Sequence, residues 1–177
     1  MRAFRAEPDG IVSAEFTIDE VAILVELSGQ LSELLRQRPE GDAALDRLLP
    51  DAYPDDAGAS AEFRRFTSDG LVDRKLATAS AMLTSIRNAV AENASMDARG
   101  DRPAVLRLDP QAAQAWLTSL GDLRLTIAVR LGIERDDDEA DPDNPLSSLY
   151  DWLGYVQGSL VDALDARNAQ AKVQQLD

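Results

Sequence analysis

The chain lacks two residue types that carry much of protein chemistry near neutral pH, since its 177 residues include no histidine and no cysteine. Without them, no Ser/His/Asp or Cys/His arrangement for nucleophilic catalysis can form. Transition metals also lose their usual nitrogen and sulfur ligands. We therefore expect a protein that is not an enzyme and that holds no cofactor or metal. An enzyme that works with carboxylates alone is the remaining catalytic alternative.

Long hydrophobic runs are also missing. The longest wholly apolar run of the first predicted helix, residues 21–25, is far shorter than the roughly 20 residues that span a bilayer. Residues 1–10 contain no apolar stretch of signal-peptide length. A hydrophobic content of 45% is ordinary for a globular protein, and the chain is long enough for one core. We expect a single cytoplasmic helical domain, residues 1–177, without a membrane segment.

Basic residues are few, and the formal net charge is −14. Binding to a phosphate backbone depends on lysine and arginine, so direct contact with nucleic acid is not expected. Residues 134–144 carry seven carboxylates and one arginine. We interpret this segment as an acidic flexible loop, with docking to a basic partner or weak cation binding as alternatives. An EF-hand does not fit, because a loop starting at Asp136 has Asp141 where glycine is required.

The hydrophobic pattern predicts a mainly α fold with a small antiparallel sheet. Residues 4–6 and 11–16 read as a hairpin around Gly10. Thr17 and Glu20 form a capping box that opens a helix to about residue 37. Apolar positions cover more than half of the circumference of this helix, which predicts a long central helix.

The rest of the chain continues this pattern. A strand that could pair with the hairpin is predicted at residues 104–108. The further helical segments are a short helix from 42 to 49, a short turn from 60 to 66 capped by Ser60, a long helix from 68 to about 93 capped by Ser68, a helix from 110 to 131, and a last helix from 145. We therefore expect about five helices around a long central one.

Three polar side chains fall on helix faces that are otherwise apolar, which makes Lys75, Arg124 and Gln157 a candidate buried polar cluster. Neither Lys75 nor Arg124 has a carboxylate three or four residues away, so any partner must come from another element. The long stems could instead snorkel to the rim of the core. An ion-pair network with Asp122, Asp151 or residues 51–56 is a second interpretation, and a pocket for a small anion is a third.

Two aromatic residues of the last helix, Trp152 and Tyr155, lie off its main apolar stripe. Exposed aromatic side chains are typical anchors of protein interfaces, so these two are the candidate interface residues. Coverage by the hairpin or by the first helix is the alternative.

The segment from 62 to 66 interleaves arginines with Phe63 and Phe66, which superficially resembles a platform for single-stranded nucleic acid. The surrounding acidic charge weakens that interpretation. We expect Phe63 and Phe66 to belong to the core.

Four stretches together resemble a known family: residues 48–53 (LLPDAY), residues 62–67 (EFRRFT), residues 120–125 (LGDLRL) followed by 130–133 (RLGI), and residues 150–153 (YDWL). The chain is similar to an uncharacterised actinobacterial family whose members are often encoded beside the Clp protease adaptor. The resemblance implies a transcriptional regulator of the oxidative-stress response that binds a sigma factor, and it brings no catalytic motif. A chain without cysteine cannot sense oxidants by thiol chemistry.

The sequence predicts a non-enzymatic regulatory or adaptor protein that acts by protein–protein contact, and the resemblance implies a role in transcriptional regulation. The alternative is a sensor that binds a small anionic ligand. A closed, fully occupied polar cluster favours the adaptor, whereas a concave cavity at that position that holds an anion favours the sensor.

Overall fold

The computed structural model describes residues 1–50, 52–53, 55–96, 102–135, 138 and 140–174, and within them the fold is mainly helical with one three-stranded sheet. This confirms the predicted fold class. In chain order the elements are β1 (Arg2–Ala6), β2 (Val12–Phe16), α1 (Ile18–Gln37), α2 (Ala43–Leu48), α3 (Ala57–Met96), β3 (Ala104–Leu108), α4 (Pro110–Leu131) and α5 (Pro145–Gln174).

The sheet has the order β1-β2-β3, and both strand pairs are antiparallel. Gly10 takes φ +79° in the turn between β1 and β2, a left-handed conformation that glycine adopts without strain. In the pairing of β2 with β3, Val12 lies opposite Leu108 and Phe16 opposite Ala104. The predicted third strand therefore joins the hairpin as expected.

The central helix is α4, whereas the sequence pattern had favoured the first helix. The α4 helix packs against each of the other four helices and against β3. The α1 helix begins at the predicted capping box, with the Glu20 amide donating to the Thr17 hydroxyl at 3.3 Å. It buries only one face, however, because Ile23 and Val25 remain 40% and 38% exposed. The prediction from its apolar positions, which cover more than half of the circumference, therefore overestimated the burial of α1.

The α3 helix is continuous from Ala57 to Met96, so the predicted break between a short turn and a long helix is wrong. Ser60 does not cap a separate turn, because α3 already begins at Ala57. Its buried hydroxyl donates to the Tyr53 carbonyl at 2.7 Å and accepts from the Tyr53 amide at 3.1 Å, which fixes the preceding loop against the helix. The Thr67 hydroxyl donates to the Phe63 carbonyl one turn earlier at 2.8 Å, as it can within an unbroken helix.

The aromatic centre of the core joins the sheet to the helices. Trp116 of α4 is fully buried, and its ring centre lies 5.8 Å from that of Phe4 and 5.9 Å from that of Phe16. Its indole Nε1 donates to the Ser85 hydroxyl of α3 at 2.7 Å. Through the described part of the chain, every helix is too short or too polar to cross a bilayer.

Candidate functional site

Lys75 and Asp122 form an ion pair between α3 and α4. The Lys75 ammonium Nζ donates to Asp122 Oδ1 at 2.6 Å, with side-chain exposures of only 14% and 10%. The second carboxylate oxygen, Oδ2, is buried and has no hydrogen-bond partner among the described residues. The sequence had named Asp122 as one of several candidate partners for the buried basic residues.

The structure divides the predicted polar cluster into two parts, because Asp122 and Arg124 point in different directions from α4. Residues two apart on a helix differ by about 200° in direction. Asp122 therefore faces α3 and Lys75, whereas Arg124 faces α5 and Gln157. The structure brings Arg124 and Gln157 together and places Lys75 elsewhere.

Three groups hold the Arg124 guanidinium at the interface of α4 and α5. Its Nη1 donates to Gln157 Oε1 at 3.0 Å, and its central carbon lies 4.6 Å from the centre of the Tyr150 ring. The guanidinium also lies over Gly154, where a Cβ atom would come within 3.5 Å of it. Arg124 Nε is buried without a hydrogen-bond partner among the described residues.

A cavity of about 480 Å³ opens beside this guanidinium. Arg124, Gln157 and Tyr150 line one side of it, and Arg47 of α2 and Arg135 line another part of the wall. The Arg47 Nη2 atom is 3.4 Å from the backbone carbonyl of Glu134, so it reaches the segment that follows α4. The cavity is thus built by α2, α4, α5 and the start of the acidic loop.

The acidic loop contributes Asp138 to the cavity wall, and one oxygen of that carboxylate is hydrogen-bonded within the loop. Its Oδ2 accepts from the backbone amides of Glu134 and Arg135 at 2.8 and 2.9 Å. These two hydrogen bonds lower the pKa of Asp138 below its usual value. Asp136, Asp137 and Glu139, which the sequence placed in the flexible loop, lie outside the described residues.

A second carboxylate locks α2 to the end of α4. Asp42 caps α2 by accepting from the backbone amides of Ala44 and Leu45, and its other oxygen accepts from Arg130 of α4. The Arg130 hydrogen bond, with help from the two amides, lowers the pKa of Asp42 despite some burial. This link holds α2, and with it Arg47, against α4.

The two candidate interface residues differ in exposure. Tyr155 is 54% exposed, whereas Trp152 is half-buried and packs against the core. The α5 helix packs mainly on β1 and α4, and Tyr155 lies on its remaining open side. Neither residue is fully covered, so the pair presents one exposed ring next to one partly buried ring.

Comparison with known proteins adds a family. Residues 1–164 match the family model described as "Domain of unknown function (DUF2017)". The chain belongs to this family. Since the DUF2017 model covers most of the chain, the cavity and α5 up to Leu164 both lie within the matched region.

Curated relatives of this DUF2017 chain carry regulator names. The chain is 35% identical over 147 residues to the "Putative oxidative stress regulator AosR" of Mycobacterium leprae, covering 73% of this chain and 61% of that one. It is 36% identical over 142 residues to the "Oxidative stress regulator AosR" of Mycobacterium tuberculosis strain H37Rv, covering 71% and 59%. The chain therefore spans about three fifths of the length of the curated relatives it matches. No solved structure matches the chain significantly.

A second exposed aromatic pair was missed by the sequence analysis. Tyr53 and Phe63 are 50% and 44% exposed, and their rings meet edge to face with centres 6.0 Å apart. The expectation that Phe63 belongs to the core is wrong, because the beginning of α3 leaves this side chain largely open to solvent. The side chains of Arg64 and Phe66 lie outside the described residues.

Two residues of the cavity were also missed. Tyr150 is seven residues before Gln157 on α5, so helical spacing places both on one face, but the contact of Tyr150 with Arg124 depends on how α5 packs on α4. Arg47 gave no such signal, because it reaches the cavity only through the packing of α2 on α4. Among the residues that the structure describes, no group of three or more carboxylates could hold a metal ion.

Proposed function

We propose that this DUF2017 protein is a regulatory or adaptor protein without catalytic activity, and that it acts in transcriptional regulation by binding another protein. The regulator names of its curated relatives support the regulatory part. The absence of histidine and cysteine from the sequence argues against the commonest catalytic arrangements. Contact with a protein partner is the mechanism that the surface favours.

The observation that carries the proposal is the exposure of aromatic side chains. The sequence has only nine aromatic residues, and three of them, Tyr53, Phe63 and Tyr155, are between 44% and 54% exposed. Aromatic residues are enriched at the centres of protein interfaces, where they supply large contact areas at low entropic cost. The chain has few aromatic residues, and it exposes three of them. These exposed side chains provide a surface for a partner.

The charge of the chain favours a basic protein partner over nucleic acid. With a net charge of −14, the surface repels phosphate backbones and attracts positively charged proteins. The acidic segment at 134–144 precedes α5, which carries Tyr155, so it can speed the encounter with such a partner. A sigma factor, the partner implied by the family resemblance, is the first to test.

We propose that oxidation of a thiol within this chain is not the input to the regulator. The relatives are named for oxidative stress, but the 177 residues of this chain contain no cysteine to form a sulfenic acid or a disulfide. We propose that the partner, or a ligand of this chain, provides the signal instead.

Affinity purification from the source organism tests the proposal. Tagged wild-type chain is compared with a Tyr155→Ala variant, and with Val161→Ala as the control. Val161 is also on α5 and is 42% exposed, so its replacement removes a similar apolar contact from the same helix. We expect at least one protein, with a sigma factor as the first candidate, to be retained by wild type and control and lost with Tyr155→Ala.

The purified partner is then titrated against each variant. Truncation of an interface anchor costs about 2 kcal/mol or more, so affinity should fall by roughly thirtyfold with Tyr155→Ala and little with Val161→Ala. Circular dichroism confirms that both variants are folded. If every captured protein binds all three chains equally, Tyr155 is not an anchor and the proposed interface is wrong.

A further inference from the structure

We propose that the cavity between α2, α4 and α5 binds a small anionic metabolite that carries a phosphoryl or carboxylate group, with Arg124 as the principal ligand. This site is independent of the protein interface proposed above. Four observations carry it: the fixed position of the guanidinium, its uncompensated charge, the further donors around the cavity, and the size of the cavity.

The Arg124 guanidinium is held in place before any ligand arrives. The Tyr150 ring lies 4.6 Å away on one side, Gly154 gives room on another, and Gln157 Oε1 accepts from Nη1 at 3.0 Å. A side chain that is already ordered loses little further entropy on binding. Arginine offers a planar fork of donors that matches two oxygens of a carboxylate or phosphate.

None of these contacts neutralises the charge. Gln157 supplies a neutral amide oxygen and Tyr150 a ring face, and Arg124 forms no ion pair with any described residue. Other part-buried charges of the same fold have an ion-pair partner. Lys75 is paired with Asp122, and the Asp42 carboxylate is paired with Arg130. A cation that is partly removed from water without a counter-charge is costly, and an anion in the cavity would remove that cost.

Further donors face the same space. A guanidinium can only donate, so the oxygen of the Gln157 amide must face Arg124, which leaves its NH₂ group as a donor. Arg47 and Arg135 also line the cavity. Among the described residues that line the cavity, three arginines stand against two carboxylates, Glu134 and Asp138, and the Oδ2 atom of Asp138 accepts from two backbone amides of the loop.

The volume of the cavity and the net charge of the chain restrict the size and the chemical class of the ligand. About 480 Å³ lies within the usual range for small-molecule sites and suits a metabolite rather than a single ion. A chain with a net charge of −14 repels anions in general, so an anion that binds must be held by local contacts. Phosphoryl and carboxylate groups share the chemistry that this cavity recognises.

Calorimetric titration at constant ionic strength tests the site, with inorganic phosphate and citrate as separate probes and chloride as the balancing salt. We expect saturable binding of at least one probe, and the stronger probe identifies the ligand class. Replacement of Arg124 by glutamine removes charge-assisted hydrogen bonds and should weaken binding about tenfold or more. Arg5→Gln, the same change at an exposed arginine of β1, is the matched control and should leave affinity within about twofold.

A second variant separates loss of the site from loss of the fold. In Gln157→Glu, the new carboxylate stands where Oε1 now accepts from Arg124, so it supplies the counter-charge from within the protein. We expect this variant to unfold at higher urea concentration than wild type and to bind the anion about tenfold more weakly. Poor folding cannot produce that combination.

Either of two results would overturn the proposal. One is the absence of saturable binding of both probes up to about 10 mM, where a competent small-molecule site would be measurable. The other is that Arg124→Gln and Gln157→Glu, both folded, bind as tightly as the Arg5→Gln control.

Discussion

The ion pair between Lys75 and Asp122 should contribute to the free energy of unfolding. Both are nearly buried, and only one carboxylate oxygen of Asp122 is satisfied among the described residues. Removing the lysine leaves the carboxylate buried and uncompensated, so Lys75→Met should lower the free energy of unfolding by about 3 kcal/mol. Urea titration measures this change.

The matched double variant isolates the charge from the packing. Lys75→Met combined with Asp122→Leu replaces the buried ion pair by apolar side chains, and we expect stability close to wild type or above it. If Lys75→Met alone costs less than about 1 kcal/mol, the pair is effectively solvated and the lysine only extends to the rim of the core.

The placement of Arg124, Lys75 and Gln157 on apolar faces was visible in the sequence, but their partners were not. Helical periodicity gives the direction of each side chain around its own helix. It does not tell which helix lies opposite, so one predicted cluster became an ion pair between α3 and α4 and a separate contact between α4 and α5. Asp122 entered the sequence analysis only as one candidate among several.

At the scale of elements, the hairpin and the capping box of α1 were predictable because each depends on residues close in sequence. The pattern of residues 104–108 also indicated a strand, although its pairing with β2 joins distant parts of the chain. The length of α3 and the central position of α4 were not predictable. The serines at 60 and 68 resemble caps, but Ser60 forms hydrogen bonds with Tyr53 in the loop before α3, and the helix continues through both serines. Whether Ile23 and Val25 are covered depends on which elements pack against α1, and the hydrophobic pattern of the helix does not identify those elements.

Gly70 lies inside α3 and provides a test of that continuous helix. A Cβ atom built there meets nothing within 4 Å, so alanine fits. Alanine also restricts the unfolded chain, and Gly70→Ala should therefore stabilise the protein by about 0.5 to 1 kcal/mol in thermal or urea unfolding.

Gly132 provides a control in which the same substitution should change stability in the opposite direction. It ends α4 with φ +74°, where a Cβ atom is strained, so Gly132→Ala should destabilise by about 1 kcal/mol. If Gly70→Ala destabilises as well, α3 has a break or a turn at this point and is not continuous there.

For the whole molecule, acid should unfold the protein, whereas small changes near neutral pH should matter little. The pKa of Asp42 is lowered mainly by Arg130, and the pKa of Glu20 is lowered because hydrogen bonds from the chain's amino terminus and Thr17 outweigh its burial. A carboxyl with a lowered folded pKa contributes stability above its unfolded pKa and loses that contribution as pH falls through the folded value. Stability should thus be steady from pH 7 to pH 5 and fall on the order of 1 kcal/mol or more below about pH 4.

Urea midpoints across this pH range measure the effect, and Asp42→Asn is the control. Asparagine still caps a helix but cannot titrate, so the acid-dependent loss should become smaller while α2 remains folded. An unchanged acid profile in Asp42→Asn would show that the link between Asp42 and Arg130 contributes nothing to it.

If this molecule works through a protein interface that includes Tyr155, site-specific photo-crosslinking in the source organism should capture the partner at that position. A photoreactive phenylalanine analogue replaces Tyr155 in one strain and Arg5, an exposed position on β1, in another. We expect a discrete covalent adduct with one partner protein from position 155, absent from position 5 and reduced when Trp152 is also replaced by alanine. The absence of an adduct from position 155, or the same adducts from both positions, would show that Tyr155 does not belong to a protein interface.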